Sequence, residues 1–319
     1  MADYEAFTLT LADGSAKLEL LLEFGGAVNA LELSDVRDDS RINIIAGLSH
    51  RAELKNNSAY RGVPLFPVVN RLDGGRYTHR GKHYHLAINE PERNNHLHGF
   101  LHTLTPTVAD HRVGNAQSSV ALQYHYDGRF DGYPFPASVV IEYTLTHDAL
   151  TVTFAVHNLH DESIPAGMGW HPYFHLECPV DQLQLQLPSV ERIGVDERML
   201  PTGETCDFDD FKQLTDIGTR QLDTCFRLAK SWRDKPACAA LLLWSKDSQR
   251  GIEVWQHSGP QANNYVQLCI APDRLSIAIE PVSCNINALN TGDGLVHIEP
   301  GCTWVTSSGV KLTRKARLS

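Results

Sequence analysis

Apolar and polar residues alternate with a period of two over many short stretches of this chain. The alternation runs through residues 7–11 and again through residues 18–24, and Asp13 and Gly14 between them are typical of a hairpin turn. A second pair of alternating stretches covers residues 139–145 and 152–156. Because a period of two places successive side chains on opposite faces of a strand, each pair predicts an antiparallel hairpin with one buried face.

Turn residues are spread evenly, and long amphipathic helical stretches are scarce. Two further hairpin turns are predicted at residues 73–75 and 127–128, residues 239–244 are predicted as a buried strand, and residues 207–214 as one or two turns of helix. No low-complexity linker or internal repeat divides the chain. The sequence therefore predicts an all-β fold with few short helices. We expect one domain over residues 1–319, a large antiparallel β-sandwich.

Composition and charge limit the possible partners. The formal net charge is −10 and no basic run stands out, so the sequence predicts neither a nucleic-acid groove nor a membrane-binding surface. No apolar run approaches the ~20 residues that cross a bilayer, and the N-terminus lacks the pattern of a secretion signal. The seven cysteines are scattered without a C-x-x-C pair, which favours reduced thiols. We expect a cytoplasmic protein, and the sequence does not indicate its oligomeric state.

The most concentrated chemistry lies in residues 167–176, where two histidines, a proline and three aromatic rings follow closely spaced glycines. Pro172 disfavours the helical region for His171, so this imidazole is expected on an extended or turning backbone. Aromatic faces beside a titratable imidazole suit a polar, ring-shaped ligand such as a sugar. A buried aromatic corner with a hydrogen-bonded histidine explains this segment equally well.

Two other segments carry polar residues that a β-scaffold does not require. Asn70 and Arg71 follow an apolar run, and their side chains can donate hydrogen bonds to hydroxyls, although a surface arginine opening a hairpin is the simpler interpretation. Further along, strand alternation predicts that His96 and His98 share one face, with Gly99 allowing a bend beside them.

Glu280 ends an apolar stretch and is followed at once by Pro281. Such a carboxylate lies either at the solvated rim of a sheet or in a cleft. In a cleft, partial desolvation would raise its pKa and make it a usable general base. The rim is the simpler interpretation of this segment alone.

Several short motifs occur together in a characteristic order. They are Asn70-Arg71, Gly75-Arg76-Tyr77, Asn95-His96-Leu97-His98-Gly99, Gly132-Tyr133-Pro134, His171-Pro172-Tyr173-Phe174, Glu280-Pro281 and Asn287-Ala288-Leu289-Asn290. In order and separation they resemble the motifs of the aldose 1-epimerases, or mutarotases, over residues 62–290. The resemblance implies a galactose mutarotase-like supersandwich with an open cleft for a pyranose and no metal or organic cofactor. It also implies that the protein interconverts the α and β anomers of a free hexose or similar aldose.

The resemblance assigns three catalytic residues. Mutarotation removes the proton of the C1 hydroxyl while the ring oxygen receives one, which calls for one base and one acid on opposite sides of the C1–O5 bond. Glu280 matches the family's base, His171 matches its acid, and His98 matches a histidine that hydrogen-bonds near the ring oxygen. The pairing suits neutral pH, where a histidine can carry a proton while a carboxylate is ionised.

Four further residues are assigned to substrate binding by the same resemblance. Asn70 and Arg71 would hold hydroxyls away from the reacting centre. Asp223 resembles the aspartate that grips hydroxyls at the far end of the sugar, and Gln267 is expected to line the cleft.

The motifs also depart from the pattern of galactose-acting members. Phe100 stands where those members usually have a second glycine, and Asn287 stands where they commonly have an aspartate. Pro172 resembles the broad bacterial aldose 1-epimerase-like branch. The segment 60–64 has some likeness to hexose-6-phosphate epimerases, for which Arg61, Arg71 or Arg93 could supply a cationic subsite. A hexose-6-phosphate 1-epimerase is therefore an alternative function.

Two alternatives come from other classes. The chain also contains two H-x-H pairs, His83 with His85 and His96 with His98, and the nearby His102. Such histidines would suit zinc, iron or manganese in a cupin-type enzyme. A non-catalytic sugar-binding or sensor β-sandwich would keep the fold without turnover. The presence of both members of the acid–base pair argues against such a scaffold.

Overall fold

β-Strands form most of the regular structure. The computed structural model describes residues 5–34, 40–246 and 249–314. Within these residues, the strands of the first half of the chain are β1 (Phe7–Thr10), β2 (Lys17–Leu21), β3 (Ala27–Ser34), β4 (Arg41–Asn43), β5 (Pro64–Leu65), β6 (Arg71–Asp73), β7 (Arg76–His79), β8 (Lys82–His85), β9 (Asn95–Leu97), β10 (Thr107–Arg112), β11 (Ser118–Tyr126), β12 (Ala137–Leu145) and β13 (Ala149–Asn158). Those of the second half are β14 (Ile164–Ala166), β15 (Gly169–Trp170), β16 (Tyr173–Phe174), β17 (Leu183–Gln186), β18 (Val190–Val195), β19 (Pro201–Phe208), β20 (Thr215–Asp216), β21 (Asp223–Leu228), β22 (Ala237–Ser245), β23 (Arg250–Ser258), β24 (Tyr265–Ile270), β25 (Ile277–Val282), β26 (Val296–Ile298) and β27 (Thr303–Thr313).

Helices in the described residues are short. They are α1 (Arg51–Lys55), α2 (Lys230–Arg233) and α3 (Ala288–Thr291), with single 3₁₀ turns at Leu22–Phe24, Pro91–Arg93, Leu101–Thr103 and Val180–Gln182. The helix predicted over residues 207–214 is wrong, because Asp207 and Phe208 pair with β18 and extend β19 instead. In the part of the chain that the structure describes, every helix is too short and too polar to span a membrane.

Two large antiparallel sheets dominate the fold. One has nine strands in the order β10-β11-β12-β13-β27-β23-β22-β17-β20. The other has eight strands, ordered β19-β18-β21-β24-β25-β15-β5, with β16 pairing beside β25. A four-stranded sheet, β1-β2-β3-β4, and the two-stranded pairs β14-β26, β6-β9 and β7-β8 complete it. The prediction of a large antiparallel β-sandwich is confirmed.

One apolar core lies against both large sheets. Alternate residues of β12 and β13, among them Ile141 and Phe154, contribute to it from the nine-stranded sheet. Leu268 of β24 and Ile279 of β25 contribute from the other sheet. Burial of each such side chain stabilises the fold by about 1.5–3 kcal/mol. Because strand side chains alternate, residues adjacent to these core positions, such as Gln267 and Glu280, lie on the opposite face of the eight-stranded sheet.

Most of the predicted hairpins are confirmed. Leu9 of β1 pairs with Leu18 of β2, β12 pairs with β13, and residues 127–136 connect the paired strands β11 and β12. The hairpin predicted at residues 73–75 is wrong, because β6 pairs with β9 and β7 pairs with β8. Gly75 instead lies so close to the backbone of Leu86 that a Cβ atom would be 2.2 Å from its carbonyl oxygen.

Candidate active site

Two candidate catalytic residues, His171 and Glu280, lie in one row across the eight-stranded sheet together with Gln267. Gln267 of β24 is directly opposite Glu280 of β25. On the other side of β25, Gly169 pairs with Val282 and Tyr173 with Ala278. These two pairs bracket Glu280, so the same register places His171 opposite it. The row is set by strand pairing, although its members are far apart in sequence.

Glu280 lies inside β25 rather than at its end. All six residues of Ile277–Val282 are buried, and the side chain of Glu280 itself is 2% exposed. The interpretation of Glu280 as a solvated rim residue is therefore wrong. β25 continues past Pro281, which pairs with Val266 of β24. The strand has β24 on one side and β15 and β16 on the other.

His171 occupies a short interruption between β15 and β16. Its backbone N–H donates to Val63 at 3.1 Å, and its carbonyl accepts from Gly62 at 2.8 Å. The Tyr173 ring stacks against the imidazole with centroids 5.4 Å apart. The absence of a side chain at Gly169 allows the close approach of β25, since a Cβ there would lie 2.6 Å from Val282 Cγ1. The predicted turning backbone at His171 is thus present, and Tyr173 supports the ring.

His171 and Glu280 are in direct contact. Nε2 of the imidazole lies 3.3 Å from Oε1 of the carboxyl, and the His171 side chain is 6% exposed. Burial raises the pKa of Glu280 well above its usual value, and the nearby charge of Asp223 adds to this increase. Burial lowers the pKa of His171 to about 3. Both shifts disfavour charge, so burial favours a neutral carboxyl and a neutral imidazole in this pair.

His98 completes the cluster but is held differently. Its backbone is left-handed, with φ of 63°. Its N–H donates to the Asn70 carbonyl at 3.0 Å, and the Asn70 N–H donates back to His98 Nδ1 at 3.3 Å. Because Nδ1 accepts a hydrogen bond, the ring proton resides on Nε2. Burial holds the pKa of His98 well below its usual value, with nearby His171 adding to the effect, so His98 is a neutral hydrogen-bond donor.

His96 and His98 do not share a strand face as predicted. β9 ends at Leu97, and the left-handed backbone of His98 breaks the alternation. His96 Nδ1 bonds to the Ala87 carbonyl at 2.7 Å, away from the His98 ring, which contacts His171 edge-on with centroids 5.0 Å apart.

The four predicted binding residues are also brought together. The Asn70 side chain donates to Gln267 Oε1 at 3.2 Å, and Gln267 Nε2 donates to Asp223 Oδ1 at 2.8 Å. Arg71, Asp223 and Gln267 line one cavity of about 290 Å³. These two hydrogen bonds fix the orientation of the Gln267 amide between Asn70 and Asp223.

Two residues that the sequence did not single out also shape the site. Tyr60, whose backbone is left-handed with φ of 54°, places its ring 4.6 Å from that of His98 and 6.4 Å from that of His171. Glu90 accepts hydrogen bonds from Arg71. Both residues line a second cavity of about 700 Å³, which contains none of Glu280, His171 and His98. Neither had a sequence signal beyond its position near a motif.

The cluster has the donor set of a metal site but not its surroundings. Among the described residues, His98, His171 and Glu280 are the one group with ligand atoms within 4.8 Å of one another, and the other histidines of the H-x-H pairs are outside it. Metal-binding imidazoles normally donate their second N–H to an acceptor. Here His98 Nδ1 faces an N–H donor, and His171 Nδ1 has no partner among the described residues. These surroundings fit proton transfer and do not fit a resident metal ion.

A buried carboxyl in contact with a buried imidazole, beside polar side chains on a sheet face, defines a site suited to acid–base chemistry on a small polar ligand. A family model described as aldose 1-epimerase matches residues 8–311. The chain belongs to the aldose 1-epimerase family, whose members are isomerases.

Relatives in sequence agree with this family. The protein YihR of Escherichia coli (strain K12), described as uncharacterized, is 29% identical over 253 residues, which are 76% of this chain and 76% of YihR. Human galactose mutarotase is 28% identical over 191 residues, covering 58% of this chain and 53% of the human protein. The chain thus matches about half the length of that relative.

Solved structures show the same fold. A galactose mutarotase-like protein from Clostridium acetobutylicum has a TM-score of 0.82 at 19% identity and covers 98% of this chain and 99% of its own. Galactose 1-epimerase from Lactobacillus acidophilus has a TM-score of 0.77 at 18% identity, covering 97% of this chain and 94% of its own. The resemblance confirms the galactose mutarotase-like architecture.

Proposed function

We propose that this protein is a cofactor-independent aldose 1-epimerase that interconverts the α and β anomers of a free aldose. The observation that carries the proposal is the 3.3 Å contact between His171 Nε2 and Glu280 Oε1. The C1 hydroxyl and the ring oxygen of an aldose are attached to one carbon. An acid and a base that serve both must therefore lie close together.

In the proposed reaction, the pair first takes the form of a carboxylate and an imidazolium by proton transfer across this contact. Glu280 then removes the proton of the C1 hydroxyl, the C1–O5 bond breaks, and O5 takes the proton of His171. The products are the open-chain aldehyde, a neutral imidazole and a protonated carboxyl. After rotation about C1–C2, the reverse transfers close the ring on the other face.

The protonation state after ring opening equals the one that burial favours. A protonated Glu280 and a neutral His171 leave no net charge in the low-dielectric pocket. His98 donates from Nε2 to an oxygen near the anomeric centre. Asn70, Arg71, Asp223 and Gln267 hold the remaining hydroxyls.

The environment of the protein is part of the proposal. All seven cysteines are free thiols. Reduced thiols are typical of the cytoplasm, which supports a cytoplasmic protein.

The test is polarimetry on freshly dissolved sugars. We expect the protein to accelerate the change in optical rotation of α-D-glucose or α-D-galactose. His171→Gln should reduce the acceleration by about 10²–10⁴-fold, the usual contribution of one acid–base group. Acceleration confined to a hexose 6-phosphate would support the alternative substrate instead. Binding of free sugars by calorimetry without any acceleration would mean a sugar-binding protein and overturn the proposal.

A further inference from the structure

Arg71 is not a free cation in the candidate site. Its Nε donates to Oε2 of Glu90 at 2.9 Å, and its Nη2 donates to Oε1 at 2.9 Å. The two side chains are only 10% and 9% exposed. A guanidinium held by two parallel hydrogen bonds has a fixed plane. Nη1 donates to Asn70 Oδ1 at 3.3 Å, so the remaining donors are the second hydrogen of Nη1 and that of Nη2.

Glu90 is itself held from two other directions. Asn95 Nδ2 donates to Oε2 at 3.0 Å, and Arg93 Nη1 donates to Oε1 at 3.0 Å. The backbones of Glu90 and Asn95 bond to each other in both directions around the 3₁₀ turn. Burial alone would raise the pKa of Glu90, but the hydrogen bonds from Arg71 and Asn95 and the charges of Arg71 and Arg93 lower it. Glu90 is therefore an ionised carboxylate at neutral pH.

The network also reaches the rim of the site. Arg198 Nη2 donates to Asn95 Oδ1 at 3.2 Å, and it forms an ion pair with Asp73 at 2.8 Å. Asp73 follows Arg71 in β6, and its N–H donates to Asn287 Oδ1 at 3.1 Å. Two distant segments thus hold β6, the strand that carries Arg71. They are the β18–β19 connection, through Arg198, and the C-terminal motif, through Asn287.

We propose that Glu90 is a positioning residue that makes Arg71 selective for the uncharged hydroxyls of an aldose. An unpaired guanidinium in a pocket attracts phosphate or carboxylate groups strongly, whereas one compensated by a buried carboxylate offers oriented N–H donors with little net charge. Arg71 lines the same cavity as Asp223 and Gln267. The inference rests on the proposed function and deepens it, since it assigns an unphosphorylated substrate at the Arg71 subsite.

The other two arginines considered for a phosphate subsite are also engaged. Arg93 shares Glu90 with Arg71, but its side chain is 40% exposed, so solvent screens its charge. Arg61 Nη1 donates to the Ala46 carbonyl and to Ser276 Oγ, both at 3.1 Å, and its guanidinium stacks on the Tyr173 ring at 4.3 Å. Arg61 thus supports the ring that packs on His171. This arrangement agrees with selection for a neutral sugar.

The test compares Glu90→Gln with Glu92→Gln, which makes the same chemical change at an exposed position two residues away. We expect Glu90→Gln to raise KM for the aldose at least about tenfold, the effect of losing one charge-assisted hydrogen bond, with little change in kcat. We also expect Glu90→Gln to become sensitive to inhibition by inorganic phosphate. Glu92→Gln should resemble the wild type in both respects.

A double variant distinguishes positioning from general destabilisation. If Glu90 acts through Arg71, then Glu90→Gln should have little further effect on KM in an Arg71→Met background. An undiminished effect in that background, or Glu90→Gln kinetics equal to those of Glu92→Gln, would overturn the inference. If Glu90→Gln does not fold, Glu90→Asp replaces it in the test. The shorter side chain keeps the charge but moves the carboxylate away from its two parallel hydrogen bonds with Arg71. It should then raise KM without phosphate inhibition, and an unchanged KM would count against the inference.

Failure of the proposed function has a different signature. In that case the wild type would not accelerate mutarotation at all. Calorimetric titration with the aldose and with inorganic phosphate would still compare the two variants. Weaker aldose binding and new phosphate binding in Glu90→Gln would support the role of Glu90, and unchanged binding of both would contradict it.

Discussion

Burial keeps the histidines of the site uncharged, which has a cost for stability in acid. Burial lowers the pKa of His171 to about 3 and that of His102 to about 4, and it holds the pKa of His98 well below its usual value. In the unfolded chain each ring takes a proton below about pH 6.5. At His98 and His102 the unfolded state therefore binds more protons than the folded state as the pH falls below that value, and stability must decrease. At the His171–Glu280 pair, the raised pKa of Glu280 acts in the opposite direction and offsets the effect of His171.

The expected acid dependence can be assigned to one residue. Between pH 6.5 and 5, His98 and His102 should each reduce the free energy of unfolding by up to about 1.4 kcal/mol per pH unit. His98→Asn retains an acceptor for the Asn70 N–H but cannot titrate. We expect this variant to lose one histidine's share of the slope, measured by urea unfolding at several pH values. The exposed His83→Asn is the matched control. Equal slopes for both variants would show that His98 is charged in the folded protein.

At the scale of elements, the site depends on how β25 is paired on both sides. Gln267 is the pairing partner of Glu280 in the continuous antiparallel β24–β25 ladder. His171 lies opposite Glu280 in a break before Pro172. The strands before and after this break, β15 and β16, both pair with β25. The interruption frees the imidazole to project toward the carboxyl, while the flanking pairs keep the register. The close contact at Gly169 is the tightest point of this arrangement.

Gly169→Ala should disturb the site through this contact. The added Cβ would meet Val282 Cγ1 at 2.6 Å and the Pro281 carbonyl at 3.1 Å. We expect a loss of about 1–3 kcal/mol in stability from overpacking, together with reduced activity because His171 moves relative to Glu280. Thermal unfolding and polarimetry measure the two effects. Val282→Ala in the same chain removes the obstructing methyl and should restore part of both. No recovery would mean that the backbone of Pro281 alone limits the approach.

At the scale of the whole molecule, the fold was more accessible from sequence than the site. Period-two alternation predicted the β1–β2 and β12–β13 hairpins, because each strand has one face in the core. The apolar stretch that ends at Glu280 and Pro281 favoured a solvated rim over a cleft, because local sequence does not reveal that β24 and the β15–β16 segment flank β25. For the same reason, the sequence did not predict the contributions of Glu90 and Tyr60 to the site. Their contacts with Arg71 and His98 come from long-range packing that no single segment records.

The central claim is that Glu280 and His171 share one proton and use it to open a sugar ring. The most direct test is the initial rate of optical rotation change of a freshly dissolved aldose with three proteins. The wild type and Glu142→Gln, an exposed position on β12, should accelerate the change equally. Glu280→Gln should be slower by about 10²–10⁴-fold, because the amide cannot take the proton of the C1 hydroxyl. Equal acceleration by Glu280→Gln and the wild type would contradict the account.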